Sequence, residues 1–359
     1  MSTSTLHLIQ GEHSFAENQG FRLDCGRLLR PVTIRYAMYG EPNRACDNVV
    51  LVCHALSGSA EVASWWPELF DDDRLFGNAR YCVIGSNILG SCYGSTGPSA
   101  VDPETGRPFA ANFPLITVGD IVRAQRRLLE FLGIARVKLV IGGSIGGMQA
   151  LQWAIDYPEF VEHCVAIGAA PLGSMGLALN HLQRHVIRLD PKWQNGDYPA
   201  HDGPKDGLAL AREIAMCSYK SAELFTHRFG RNPNRNGETP WTHPDGRFDV
   251  AGYLDHQGEK FVQRFDANSY LAISKTMDNF DPVRAYGSPQ AAYGRIRAHV
   301  TLVGISSDWL FPAADVRSLG EQFTALGVQC DYHEIASSHG HDAFLAEPEK
   351  LASILAAHL

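Results

Sequence analysis

"VIGGSIGGMQALQW", residues 140–153, decides the fold: an apolar, β-branched run passes into a helix-like stretch through four glycines and one serine. The run Val137, Lys138, Leu139, Val140 and Ile141 has the composition of a buried strand, and residues 148–154 read as a helix. A G-x-S-x-G match alone is weak in a chain with 34 glycines, but the strand-turn-helix context makes it a nucleophile elbow. In such a turn the serine backbone is tight, and side chains two positions away on either side strike neighbouring backbone. Gly142 and Gly146 are therefore the residues this geometry requires. The competing reading keeps Ser144 as a small residue in a structural glycine bend.

Outward from the elbow, short β-branched runs at 32–37, 49–53, 81–86, 137–141 and 163–168 alternate with helix-like stretches. That rhythm predicts a mostly parallel sheet with crossover helices. Residues 116–132 place Ile121, Ala124, Leu128, Leu129 and Leu132 on one side at helical spacing, with Arg126 and Arg127 left to solvent. The rhythm lapses after Pro171; to about Tyr286 the chain is helix-like, more polar and broken by turn-prone stretches. Strand signals return at 298–304 and 328–335, and a helix follows from about Asp342. The expected organisation is one α/β core, residues 1–170 and 287–359, interrupted by a helical insertion at 171–286.

A formal net charge of −8, with both signs interspersed, argues against a nucleic-acid groove or a polybasic membrane patch. Small molecules or copies of the same chain are the expected partners. The N-terminal stretch lacks a basic segment followed by an apolar run, and no run approaches the ~20 apolar residues of a membrane span, so a soluble, unexported protein is expected. Eight scattered cysteines without a C-x-x-C pair read as reduced thiols, mostly buried, rather than a metal site or disulfide framework. Neither a phosphate-cradling G-x-x-x-x-G-K-[ST] loop nor metal-ligand spacing is present.

For a serine on an elbow the remaining members follow in the order acid, then histidine. "SDWLFP" places Asp308 just beyond the run at 298–304, and "ASSHGHDAFL" offers His339 and His341 beyond the run at 328–335. His341 is favoured because it follows a glycine and adjoins the last helix; His339 is the alternative. The backbone N–H of Ile145, at the helix N-terminus, is the first candidate oxyanion donor. That of Leu56, after the run at 49–53, is the second, while His54 and Ser57 shape the loop. These roles describe acyl transfer through an acyl-serine to water or to another hydroxyl, and do not choose between them.

Several stretches resemble the homoserine O-acyltransferases of the α/β-hydrolase superfamily: "CHALSGSAEV", "NILGSCYGSTGPSAVDPETGRPF", "FPLITVGDIVRAQ", "GGSIGGMQALQWA", "GEKFVQRFDANSYLAISKTMD", "SDWLFP" and "GHDAFL". They run from about residue 30 to the C-terminus, and "LGSCYGSTGP" and "RFDANSYL" are more specific than any triad motif. The resemblance implies an α/β-hydrolase fold whose insertion is a helical lid, with Ser144, Asp308 and His341 as the triad. It implies ping-pong transfer of an acetyl group from acetyl-CoA to the side-chain hydroxyl of L-homoserine, in methionine biosynthesis. Acyl-CoA would be a substrate rather than a bound cofactor, the protein cytoplasmic, and a homodimer would form through the lid. Arg212 and Tyr219, two helical turns apart, match the positions that take the acceptor carboxylate, and Asp342 the position that takes its ammonium. Without the resemblance Arg212 reads as a surface charge and Asp342 as a helix N-cap. Ile145 replaces a common methionine and Ser57 a common threonine, which bears on acyl-chain preference. Succinyl transfer, L-serine as acceptor, and an esterase on the same scaffold are the alternatives, with a catalytically silent binding protein behind them.

Overall fold

Eight strands build the main sheet, of which six form the parallel run that carries the site. In the computed structural model, which describes residues 7–71, 75–77 and 80–356, they are β1 (Leu8–Phe15), β2 (Val32–Tyr39), β3 (Val49–Cys53), β4 (Cys82–Ser86), β5 (Val137–Gly143), β6 (Val161–Ile167), β7 (His299–Ile305) and β8 (Cys330–Ile335). Their spatial order is β1-β2-β4-β3-β5-β6-β7-β8. From β4 to β8 every pairing is parallel, whereas β1 with β2 and β2 with β4 run antiparallel. The sheet is therefore the mostly parallel one expected from the sequence. Strands β3 and β4 are buried throughout, as apolar runs covered on both faces should be.

Strand β1 escaped the sequence reading. Its sequence LIQGEHSF alternates between exposed and partly buried positions, and it pairs along its whole length with β2 at the sheet edge. An edge strand buries too little apolar surface to leave a clear signal.

The longer helices are α1 (Val118–Phe131), α2 (Ile145–Asp156), α3 (Ser174–Leu189), α4 (Lys205–Tyr219), α5 (Ala222–Phe229), α6 (Asp249–Val262), α7 (Ala267–Asp278), α8 (Ala313–Ala325) and α9 (Pro348–Leu355). Helix α1 starts on a capping box between Thr117 and Asp120 and buries Ile121, Ala124, Leu128 and Leu129 as its periodicity requires. Arg127 is exposed, but Arg126 lies with its guanidinium 4.1 Å from the Phe160 ring centre, so it caps an aromatic rather than facing open solvent.

Between β6 and β7 the described residues add no strand to the main sheet; helices α3 to α7 fill that interval. Asp278 of α7 accepts from both Arg184 and, at 2.9 Å, Asn180 of α3, and Tyr270 of α7 donates to Gln183 of α3 at 2.6 Å. The Arg184–Asp278 pair is buried, and its further hydrogen bonds satisfy the groups that burial would otherwise leave unpaired. All eight cysteines are free. Cys46, Cys53, Cys82 and Cys164 are buried, but Cys25 and Cys217 are exposed, which corrects the expectation of mostly buried thiols.

Where β5 meets α2, the backbone leaves no room for side chains. A methyl on Gly142 would lie 2.7 Å from the Cys53 carbonyl oxygen and nearer still to the Gly146 carbonyl. One on Gly146 would overlap that same Cys53 oxygen, and one on Gly147 would lie 2.5 Å from the Ala169 methyl. Gly146→Ala should therefore cost roughly 3 kcal/mol or more of unfolding free energy, measured by urea denaturation. A methyl on Gly320, inside α8, would lie 3.4 Å from Leu302 and 3.7 Å from Cys330 Sγ, both ordinary contacts, so Gly320→Ala should instead stabilise the protein by about 0.5–1 kcal/mol.

Candidate active site

Ser144 is the hinge between β5 and α2, with φ 59° and ψ −129°. A side-chain-bearing residue held at positive φ is strained, and here its neighbours hold it. The Ser144 N–H donates to the Ile167 carbonyl of β6 at 2.9 Å, and the Ser144 carbonyl accepts from Met148 at 3.0 Å to start the helix. Ser144 is 6% exposed, at the C-terminal edge of the parallel sheet where loops from several strands converge.

Those loops deliver the acid and the base. Asp308 follows β7; its Oδ1 accepts from the N–H groups of Leu310 and Phe311, both at 2.9 Å, and its Oδ2 meets His341 Nδ1 at 2.6 Å. The carboxylate is thus fixed by its own turn and aimed by it. The Nδ1 proton donates to Asp308, which leaves Nε2 as the imidazole's lone-pair nitrogen, and that atom is buried without a hydrogen-bond partner. Ser144 Oγ does not hydrogen-bond to it in this structure, the looser arrangement common when no substrate is bound.

Gly168 joins the two halves of the site. It follows Ile167, which holds the Ser144 N–H, and its α-carbon faces the ion pair: a methyl there would lie 3.2 Å from Asp308 Oδ2 and 3.3 Å from the His341 ring. Position separates the two candidate histidines. His341 is 3% exposed and paired with Asp308, whereas His339 is partly exposed and makes no bond to that carboxylate. Gly340, at φ 71°, lets the chain turn where a methyl would lie 2.7 Å from the Tyr219 carbonyl. Phe311 stacks on the imidazole at 5.2 Å and Phe344 meets it edge-on at 5.8 Å. Burial alone pushes the His341 pKa down, but the Asp308 carboxylate, helped by Asp342, reverses this and holds it above the ordinary 6.5.

The two candidate oxyanion donors stand free: among the described residues nothing accepts from the N–H of Leu56 or of Ile145. A residue that sequence reasoning treated only as loop-shaping orients the first of them. The Ala55 carbonyl accepts from His54 Nδ1 at 2.7 Å and from the Gly58 N–H at 2.9 Å. In a trans peptide the N–H points opposite to the carbonyl, so these bonds turn the Leu56 N–H outward from the loop. His54 Nε2 in turn accepts from the Ile88 N–H at 3.1 Å, which fixes the tautomer. Burial pushes the His54 pKa down to about 4, so the ring is neutral and is a brace rather than a base. The helix beneath Ile145 is held by a buried amide relay. Gln149 donates to the Ile145 carbonyl at 3.1 Å, Gln125 to Gln149 at 2.8 Å, and Trp153 to Gln125 at 2.7 Å.

Arg212 and Tyr219 share a face of α4, as their spacing requires. The guanidinium lies 5.6 Å from the Tyr219 ring centre and 5.0 Å from that of Phe261, and the Tyr219 ring is 5.7 Å from His341. Asp342 makes no side-chain cap to the following helix. Its carboxylate instead takes Lys220 Nζ at 2.8 Å, a partner the sequence reading missed. The only sequence signal for Lys220 was its adjacency to Tyr219. Above the loop of Leu56 opens a cleft of about 880 Å³, lined among others by Ala55, Ser57, Arg212 and Leu345.

A family model described as the alpha/beta hydrolase fold matches residues 48–348. A homoserine O-acetyltransferase of Symbiobacterium thermophilum is 45% identical over 338 residues, covering 90% of this chain and 88% of that one. The crystal structure of homoserine O-acetyltransferase from Bacillus anthracis superimposes with a TM-score of 0.89 at 25% identity, covering 98% of this chain and 97% of that one. Esterase E22 superimposes with a TM-score of 0.87 at 22% identity, over 98% of this chain and 100% of that one, a likeness of fold alone.

The first-step rate should fall as pH drops, because a protonated His341 cannot accept the serine proton. With the imidazole pKa raised, the acidic limb of the acylation burst with p-nitrophenyl acetate should have its midpoint above pH 6.5. Asp342→Asn removes one of the carboxylates that favour the imidazolium and leaves Lys220 uncompensated, so it should move that limb to lower pH.

Proposed function

The chain belongs to the homoserine O-acetyltransferase family of the α/β-hydrolase fold, and we propose that it moves an acetyl group from acetyl-CoA to the side-chain hydroxyl of L-homoserine by a ping-pong route. The observation that carries this reading is the setting of His341. Its Nδ1 is tied to Asp308, its Nε2 is buried and unpartnered, and groups suited to the two ends of an amino acid, Arg212 beyond Tyr219 and Asp342 next in the chain, flank it.

In the first half-reaction His341 Nε2 takes the proton from Ser144 Oγ as that oxygen attacks the thioester carbonyl. The N–H groups of Leu56 and Ile145 hold the oxyanion, and Asp308 stabilises the imidazolium. Collapse breaks the carbon–sulfur bond; the thiol leaves with the proton from His341, and acetyl-Ser144 remains. In the second half, the acceptor hydroxyl gives its proton to His341 and attacks the ester, and Ser144 departs with that proton. Arg212 and Tyr219 are assigned to the acceptor carboxylate and Asp342 to its ammonium, which also competes with Lys220. In this reading the acyl donor is a substrate, no bound cofactor takes part, the enzyme is cytoplasmic, and its product enters methionine biosynthesis. No helix of the described residues is long and apolar enough to cross a membrane.

We also propose a homodimer through α3. Met175, Ala178, Leu182, His185 and Leu189 are all exposed and recur at alternating three- and four-residue spacing, the seam of a helix that packs on another helix.

Ser144→Ala should lower acetyl transfer at least ~10³-fold, followed as CoA release. Acetyl-Ser144, trapped by rapid quench, should lose its acetyl group much faster with homoserine than without. Equal loss to water in both cases marks a hydrolase and defeats the transferase reading. Leu182→Asp should convert a dimer to a monomer in light scattering after gel filtration, with little change in the unfolding midpoint.

A further inference from the structure

The cleft above the oxyanion loop carries a charge pattern that neither folding nor the acceptor accounts for. Four cations line it, Arg35, Arg212, Lys260 and Arg264, against a single carboxylate, Glu61. The chain as a whole has a formal charge of −8, so this is a local reversal of sign. Like charges gathered around one cleft repel and disfavour the folded state unless a ligand or a carboxylate answers them.

Carboxylates answer them poorly. Among the described residues no carboxylate lies within ion-pair distance of Arg212, Lys260 or Arg264. Arg264 is instead held in place by neutral acceptors: its Nη1 donates to the Ser57 carbonyl at 2.9 Å and to the Tyr93 hydroxyl at 2.7 Å. It is thereby fixed to the loop that carries Leu56 without a carboxylate beside it. Arg35 approaches Glu12 at 3.6 Å, but both side chains are more than 40% exposed, a pairing worth little in water. Glu61 is engaged by Gln10 at 3.1 Å.

A zwitterionic acceptor needs one cation, and Arg212 supplies it. A neutral ester needs none. The surplus, Arg35, Lys260 and Arg264, matches a ligand with several anionic oxygens remote from its reacting carbonyl. We propose that these three side chains form the phosphate-binding subsite for the nucleotide end of the acyl donor, at the mouth of the route whose floor is the oxyanion loop. This rests on the acyl-CoA reading above and assigns to it the groups that grip the diphosphate and 3′-phosphate. Fixed arginine forks bind phosphate oxygens by paired charge-assisted hydrogen bonds, and the positive wall raises the local concentration of a polyanion.

The test compares acetyl-CoA with S-acetylpantetheine, which has the same reacting thioester and no phosphate. The full-length protein and its Lys260→Glu, Arg35→Glu and Arg264→Gln variants are assayed in the acylation half-reaction at low and high salt. Arg127→Glu, an exposed reversal on α1, is the control, and unfolding midpoints identify any variant that fails to fold. The wild type should favour acetyl-CoA through KM, and salt should erode that advantage. Each cleft variant should reduce the advantage by about tenfold, chiefly in KM for acetyl-CoA, with a weaker salt dependence, while Arg127→Glu keeps it. If folded cleft variants retain the wild-type preference and salt dependence while acetyl-CoA is a good donor, the subsite assignment is overturned and the donor reading stands. If the wild type is acylated by S-acetylpantetheine but not by acetyl-CoA, the donor reading itself fails and the subsite with it.

Discussion

The contact on which the site depends is a backbone one: the Cys53 carbonyl at the end of β3 lies where a side chain at residue 142 or 146 would have to be. Such close approach is possible only for glycine, and it brings the N-terminus of α2 hard against two adjacent parallel strands, β3 and β5. The serine between those glycines then has no relaxed conformation available. Holding Ser144 at φ 59° costs on the order of 1–3 kcal/mol, and the bonds to Ile167 and Met148 hold it there. In this conformation Ser144 stands at the sheet edge with the first free N–H of α2 beside it.

The remaining parts are held at increasing distance from that contact. Asp308 is aimed by the N–H groups of its own turn, and His341 by Asp308 and two phenylalanine rings. Leu56 is aimed by His54, which is itself braced by Ile88 from the loop after β4. Among the described residues, the N–H groups of Leu56 and Ile145 and the Nε2 of His341 stand without a partner at the centre of this arrangement. Unpaired groups in a low-dielectric setting are costly, and a reacting carbonyl and a hydroxyl proton would satisfy these three.

The segment between β6 and β7 packs against the site from two directions. Through Tyr219 and Arg212 it reaches the imidazole from one side, and through Arg264 it clasps the oxyanion loop from another. A shift of this insertion would be felt at the oxyanion loop, since Arg264 bonds to the carbonyl one residue beyond Leu56. The insertion and the loop that carries Leu56 are thus mechanically joined.

By itself the sequence determined the elbow and the parallel strands around it, and it pointed to Ser144, Asp308 and His341 as the residues to look for. Those features are written in local signals: glycines at fixed offsets from Ser144, buried apolar runs, and chain order. It left β1 unread because an edge strand with alternating exposure carries little apolar signal. The choice of His341 over His339 followed from the glycine before it, and only the tertiary structure showed what that glycine accommodates, the backbone of Tyr219 and Lys220 packed against Gly340. Tertiary structure alone decided that His54 braces an oxyanion donor, that Lys220 shares Asp342, and that Arg264 crosses 207 positions of the chain to Ser57. Charges on separate segments have no pattern along the chain, and their meaning comes from the field they make once folding has brought them to one cleft.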